Sequence, residues 1–196
     1  DASFPYILFL NGESKLDKYF EKLNGLMEND LMQIDDPNLL DIDDGDFNST
    51  LRNLGKNKVL VLCRMSENKP IKNIEEAYLK LHLISYKFFL PNSLNLENLF
   101  DNLVNVAWTN QGPIEIDEIE KEILHARKNN LSLEIKSVDK FPPLTDYIVP
   151  PGVRIADTRR VRLGAYLSEG TTVMHEGFVN FNAGTWGPAL IEGRIS

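Results

Sequence analysis

From Ile155 onward a branched or long aliphatic side chain recurs at every sixth position: Ile155, Val161, Leu167, Val173 and Val179, then Thr185 where an aliphatic is due, then Ile191. Small residues keep step with them at Ala165, Thr171, Gly177, Ala183 and Ala189. A period of six matches neither the 3.6 of a helix nor the 2 of a strand. It suits a solenoid in which each hexad makes one flat side of a coil, the hexapeptide form of the β-helix. The aliphatics then stack as an inner ladder and the small residues take the corners. Successive side chains of an extended segment point to opposite faces, so the residue after each ladder position faces out. Those residues are Ala156, Arg162, Ser168, Met174, Asn180, Trp186 and Glu192. Around Thr185 the run Asn180 to Pro188 is polar and glycine-rich, which predicts a distorted side open to close approach by a ligand or a neighbouring subunit. Asn180 and Asn182 are expected to form an internal side-chain ladder.

The fold class expected is an α/β domain over residues 1–143, followed at 144–196 by a connector and the first coils of a parallel β-helix. Pro5 to Leu10 reads as a strand ending at the Asn11-Gly12 turn, and Ser14 can cap a helix bearing Leu16, Tyr19, Phe20, Leu23 and Leu26. The run Lys58 to Met65 predicts a buried central strand, and Cys63 within it is expected to be an enclosed, inert thiol. After Pro70 a helix carries Ile74, Ala77, Tyr78, Leu81 and Ile84 on one side and His82 on the other, and a further helix is predicted through Leu96, Leu99, Phe100, Leu103 and Val106. Asp117 opens a short helix that ends at Asn129-Asn130, and Leu131 to Val138 alternates as a strand. The prolines at 142, 143, 150 and 151 bracket an extended connector. The chain opens without Met and stops at Ser196 inside the repeat, which predicts a piece of a longer protein.

The formal net charge of −8 is unevenly spread, since five arginines face four acids over residues 151–196. No basic stripe is present, so nucleic acid is not an expected partner. The acids between Glu28 and Asp46 lack the glycine and glutamate positions of a calcium loop and read as a solvated segment. A single cysteine forms no internal disulfide, no apolar stretch is long enough to span a bilayer, and no signal-peptide pattern opens the chain. These features predict a cytoplasmic location with no membrane partner.

Several segments carry a resemblance. Val138-Asp139-Lys140-Phe141-Pro142, the connector Asp146 to Pro150, and within the repeat Val161 to Tyr166, Met174 to Asn180 and Ile191-Glu192-Gly193-Arg194 closely resemble the tetrahydrodipicolinate N-succinyltransferase family, as does Trp108 to Pro113 more loosely. The resemblance implies a left-handed β-helix assembled as a homotrimer, with active sites between neighbouring subunits. It implies succinyl transfer from succinyl-CoA, a cosubstrate, to the amine of an acyclic amino-oxopimelate in lysine and diaminopimelate biosynthesis, with no permanently bound cofactor. Glu192 matches the family's catalytic acid. Glu176 matches an acid implicated in holding a divalent ion such as Mg on the trimer axis. Arg159 stands where a second acid is expected there, and an Arg-Glu pair is the natural replacement.

Elementary chemistry fits these roles. An alkylamine with a pKa of about 10 must lose a proton before it attacks a thioester, and a carboxylate can accept that proton. Glu192 faces outward, as an interfacial base must, although a solvated surface carboxylate would do the same. The guanidinium of Arg194 suits a dicarboxylic substrate or stacking along the coil, and Ser196 can donate to the same ligand. His175 is the only histidine of the repeat, too few for a zinc site. The alternatives are another CoA-dependent hexapeptide acyltransferase or a non-catalytic trimerisation module. Residues 1–196 alone are expected to be inactive.

Overall fold

The computed structural model of the chain describes residues 31–34, 60–63, 65 and 67–196. The helix after Ser14 and the opening strand lie outside the described residues, as does the acidic segment from Glu28 to Asp46 except for Leu31–Ile34, which form a strand where a solvated segment was expected. Strands β1 (Leu31–Ile34) and β2 (Leu60–Cys63) pair antiparallel, Leu31 opposite Cys63 and Ile34 opposite Leu60, and belong to one compact unit, Pro5–Glu67. Among the described residues β2 pairs with β1 alone, and Val61 and Cys63 are half-buried. The expectation of an enclosed thiol is corrected accordingly.

Residues 68–196 form a second compact unit. Helix α1 (Ile74–Ser85) begins where Asn73 accepts a hydrogen bond from the Glu76 N–H, while the Glu76 carboxylate accepts from the Lys72 N–H at 2.9 Å. This reciprocal cap satisfies N–H groups that a helix start otherwise leaves unpaired. The predicted apolar stripe is buried, with Ala77, Tyr78, Leu81 and Ile84 at most 2% exposed. The other side of α1 is buried too. Lys80 is 1% exposed and donates to the carbonyls of Lys69 (2.5 Å) and Asn95 (2.6 Å), so its ammonium pins the chain on both sides of the helix, and burial pulls its pKa down. His82, expected on an outer side, is 1% exposed, edge-on to Tyr147 at 5.2 Å, and its Nδ1 lies 2.8 Å from the Tyr78 carbonyl. Burial lowers its pKa to about 4, so the ring is neutral and Nδ1–H is the donor.

The helix expected through Val106 is a single turn, α2 (Leu99–Asn102). Its carbonyls at Phe100 and Leu103 accept from the Lys140 ammonium, and Val106 instead opens strand β3 (Val106–Thr109). Strand β3 is flanked by β4 (Gly112–Glu115) and β5 (Ile135–Asp139), antiparallel to both, with Trp108 buried and its indole N–H donating to the Asp139 carbonyl at 3.0 Å. Long-range pairing thus overrides a locally helical pattern. Gly112, at φ +103°, closes the tight β3–β4 turn. Helix α3 (Ile119–Lys128) sits between β4 and β5, as its sequence predicts.

Beyond Pro143 the architecture changes. Short strands β6 (Arg154–Ile155), β7 (Thr172–Val173) and β9 (Leu190–Ile191) pair in parallel, Arg154 beside Thr172 beside Leu190, an advance of eighteen residues each time. A second side pairs Val161 with Val179, and a third pairs Tyr166 with Gly184, at the same advance. Eighteen is three hexads. The ladder is internal, with Val161, Leu167, Val173 and Val179 no more than 1% exposed. Fully burying such a side chain stabilises by roughly 1.5–3 kcal/mol.

The last turn departs from the period. Strand β8 (Phe178–Val179) pairs in parallel with β10 (Arg194–Ile195), Ile195 beside Val179, an advance of sixteen. Ile195 therefore holds the ladder position expected at residue 197. The corner Met174 to Gly177 has a tighter counterpart at Glu192-Gly193, two residues shorter.

The polar side around Thr185 is a packed one. Thr185 is 8% exposed and its hydroxyl lies 2.7 Å from that of Thr171, which is 1% exposed, while the Ser168 N–H donates to Thr185 Oγ1 at 3.0 Å. The close approach expected there is made by the preceding turn: a Cβ at Gly184 would stand 1.8 Å from the Tyr166 carbonyl oxygen. Nor do the asparagines form an internal ladder. Asn182, at φ +56°, exchanges hydrogen bonds with Asn92, and Asn180 accepts from Arg162.

Helix α1 docks on the winding at Gly164, whose N–H donates to Ser85 Oγ at 2.8 Å. No described helix is long and apolar enough to cross a membrane.

Two outcomes follow. Gly184→Ala should cost about 2 kcal/mol or more, because the added methyl meets backbone that cannot step aside, and a lowered urea midpoint would register it. Between pH 6.5 and about 4 the unfolded chain takes up a proton that folded His82 refuses. Stability should then fall with pH across that window by up to about 3 kcal/mol, and His82→Leu should remove that component from the pH dependence of urea unfolding.

Candidate active site

The side of the winding built on Val161, Val179 and Ile195 projects two columns of side chains outward. Arg160, Phe178 and Arg194 precede the ladder residues, and Arg162, Asn180 and Ser196 follow them. The first-turn arginine is fully engaged. Arg162 donates to Asp139 Oδ2 at 2.7 Å and to Asn180 Oδ1 at 3.0 Å, and its guanidinium carbon lies 4.9 Å from the Phe141 ring centre and 5.5 Å from that of Phe178. The Arg162 and Asp139 side chains keep 25% and 28% of their exposure, a setting in which a charged hydrogen bond is worth more than at an open surface. Phe141 stacks on Phe181 at 4.5 Å, and Phe100 meets both edge-on. The end of β5 is thereby locked to the winding.

Arg194 is the opposite case. It is exposed, it makes no ion pair among the described residues, and its guanidinium carbon lies 5.7 Å from the Phe178 ring centre. Ser196, also exposed, falls in the adjoining column above Asn180. The structure therefore brings Arg194 and Ser196 onto one surface. Glu192 is exposed on the neighbouring side, in the column of Ala156 and Met174, just before the short corner at Gly193. No described hydrogen bond or ion pair joins Glu192 to Arg194 or Ser196.

Glu176 lies at the longer corner, exposed, with His175 Nε2 3.9 Å from its carboxylate. The expected pairing with Arg159 is not formed within the chain. Arg159 forks onto Asp157, with both contacts at 3.0 Å, and that partner holds the Asp157 carboxyl below its usual range. Arg160 reaches the Glu176 backbone carbonyl at 3.1 Å instead of its carboxylate. No three His, Cys, Asp or Glu side chains converge as metal ligands among the described residues, so one chain offers a shared ion a single carboxylate.

Asp139, Arg162 and Phe178 are the members of this surface to which sequence reasoning gave no role. The eighteen-residue advance would have stacked Arg162 beneath Asn180, whereas Phe178 lies beneath Arg194 only because the last turn advances sixteen. Nothing local connects Asp139 to them.

The comparisons agree with this geometry. The family described as "Tetrahydrodipicolinate N-succinyltransferase middle" matches residues 103–142, the segment that carries β3, β4, α3 and β5. A 2,3,4,5-tetrahydropyridine-2,6-dicarboxylate N-succinyltransferase of Pseudomonas putida is 57% identical over 139 residues, 71% of this chain and 40% of that protein. The protein of the same name from Vibrio cholerae is 50% identical over 141 residues, 72% of this chain and 41% of its own length. The chain thus spans about two fifths of the length of these curated relatives. A crystal structure from Campylobacter jejuni, described as a candidate 2,3,4,5-tetrahydropyridine-2-carboxylate N-succinyltransferase, superposes with a TM-score of 0.79 at 30% identity, covering 100% of this chain and 57% of that one. By these matches the chain belongs to the tetrahydrodipicolinate N-succinyltransferase family.

Proposed function

We propose that the protein carrying this chain transfers succinyl from succinyl-CoA to the amine of acyclic 2-amino-6-oxopimelate, a step of diaminopimelate and lysine synthesis. The observation that carries the reading is 57% identity with a relative named for this reaction, in a chain whose Glu192, Arg194 and Ser196 all stand exposed at alternate positions of the winding. In this reading the winding is a left-handed parallel β-helix, three copies associate side by side, and each reaction site lies where two copies meet. Neither Glu192 nor Arg194 forms an ion pair among the described residues, which supports it, since an exposed charge of this kind is available to a substrate and a neighbouring subunit.

The chemistry assigned to each residue is specific. Glu192 accepts the proton of the substrate ammonium, leaving a neutral amine to attack the thioester carbonyl. The tetrahedral oxyanion needs a donor, such as a backbone N–H. Its collapse expels the CoA thiolate, which takes up a proton, and an amide remains. Arg194 holds a substrate carboxylate as a charge-assisted pair and Ser196 donates to the same group. Glu176, one carboxylate from each of three copies, would hold a divalent ion such as Mg on the trimer axis, where three like charges otherwise repel.

Glu192→Gln in the whole protein tests the central assignment. Loss of a general base should lower kcat by about 10²–10⁴ while the oligomer, followed by size-exclusion chromatography with light scattering, stays intact. Succinyl transfer at the wild-type rate would remove Glu192 from catalysis, and loss of activity with the assembly intact would also count against a purely scaffolding role.

A further inference from the structure

Two guanidinium groups approach one aromatic ring on the exposed side of the winding, and only one of them is neutralised. Arg162 lies 5.5 Å and Arg194 5.7 Å from the Phe178 centroid. Both are inside the range at which a ring's negative face attracts a cation. Arg162 is also tied to Asp139 at 2.7 Å and to Asn180 at 3.0 Å and lies 4.9 Å from the Phe141 ring centre, so its charge is satisfied and its position fixed by four contacts. Among the described residues Arg194 has the ring alone. A long, exposed arginine otherwise spreads over many rotamers, and ordering it on binding carries an entropic cost. An aromatic platform beneath the guanidinium removes part of that cost in advance. It leaves the N–H edge of the fork free for a carboxylate, because stacking occupies the planar face.

Backbone pairing reinforces this placement. Phe178 and Arg194 are direct neighbours in the β8–β10 ladder, with the Phe178 N–H donating to the Gly193 carbonyl at 2.9 Å. The register that aligns them exists only because the last turn advances sixteen residues. At an advance of eighteen, Phe178 would meet residue 196, which is a serine.

We infer that Phe178 is a positioning residue for substrate binding: its ring, anchored next to the Asp139–Arg162 pair, holds the Arg194 guanidinium ready for a carboxylate of the amino-dicarboxylic substrate. The inference rests on the reading of Arg194 as the ligand of that carboxylate, and it adds a residue which does not itself touch substrate. The effect belongs in the affinity for the amine substrate, not in the chemical step and not in the affinity for succinyl-CoA.

Steady-state kinetics of the whole protein test it with Phe178→Leu, Phe178→Met, Phe178→Tyr and Arg194→Gln. Losing the ring face should raise KM for the amino-dicarboxylate about fivefold in the Leu and Met variants, with kcat and the KM for succinyl-CoA within about twofold of wild type. Phe178→Tyr, which keeps the face, should restore KM. Phe178→Leu added to Arg194→Gln should raise KM no further, since the group it positions is gone. If Arg194→Gln raises KM while the Leu and Met variants leave it unchanged, the positioning role is refuted and the Arg194 assignment stands. If Arg194→Gln leaves KM unchanged, the assignment fails and the inference falls with it. A drop in kcat together with rises in both KM values, or failure of both apolar variants to fold while Phe178→Tyr remains stable, would make Phe178 a packing residue and overturn the proposal.

Discussion

Parallel backbone pairing at a fixed advance is the constraint on which this structure rests. Each short strand of the winding pairs its backbone with a strand one turn away, as where Thr172 donates to the Ala189 carbonyl at 2.8 Å and Arg154 donates to that of Thr171 at 2.9 Å, so that β7 is bonded on both sides. Strands of two residues cannot stand alone. They persist because the same advance that aligns the backbone also stacks Val161 on Val179 and Ile155 on Val173, so hydrogen bonding and burial reward one register. With the ladder fixed inside, the outward residues become addressable by position, and a catalytic surface is set out by sequence spacing.

The helical and stranded part of residues 68–143 serves that winding in the same compact unit. Helix α1 seats on Gly164, where a Cβ would come within 2.6 Å of Leu81, and the end of β5 presents Asp139 to Arg162. Aromatic stacking among Phe100, Phe141 and Phe181 closes the same junction. One region holds the other through polar pairs ringed by apolar contacts. Such pairs specify an orientation as well as stabilise it, because a displaced arginine would leave a carboxylate unmatched.

Legibility in the sequence followed the range of the interactions involved. The inner ladder and the apolar stripe of α1 were readable because a period in one stretch of chain reports one buried face. The burial of His82 and Lys80 was not, since helix spacing cannot announce that a second face is covered as well. Val106 was misread because its local pattern is helical while its partners, Glu115 and Asp139, are distant in the chain. At the candidate site, the outward facing of Glu192 came from alternation, and Arg194 and Ser196 were singled out by their chemistry. The shortened last turn and the Asp139 contact lay beyond it, because a two-residue deletion inside a repeat is visible only when pairing is known.

Thr171 and Thr185 give the winding a safeguard against slippage. A coil displaced by one hexad would set the Thr185 hydroxyl against Ala165 or Gly177, neither of which carries a side-chain oxygen. The aliphatic rungs would tolerate that frame-shift, since valine replaces valine at little loss, but a buried hydroxyl stripped of its mate costs about 1–3 kcal/mol. One polar contact at 2.7 Å therefore acts as a phase marker, much as a lone asparagine fixes alignment in a coiled coil. The residue that interrupts the aliphatic rhythm is the one that keeps count.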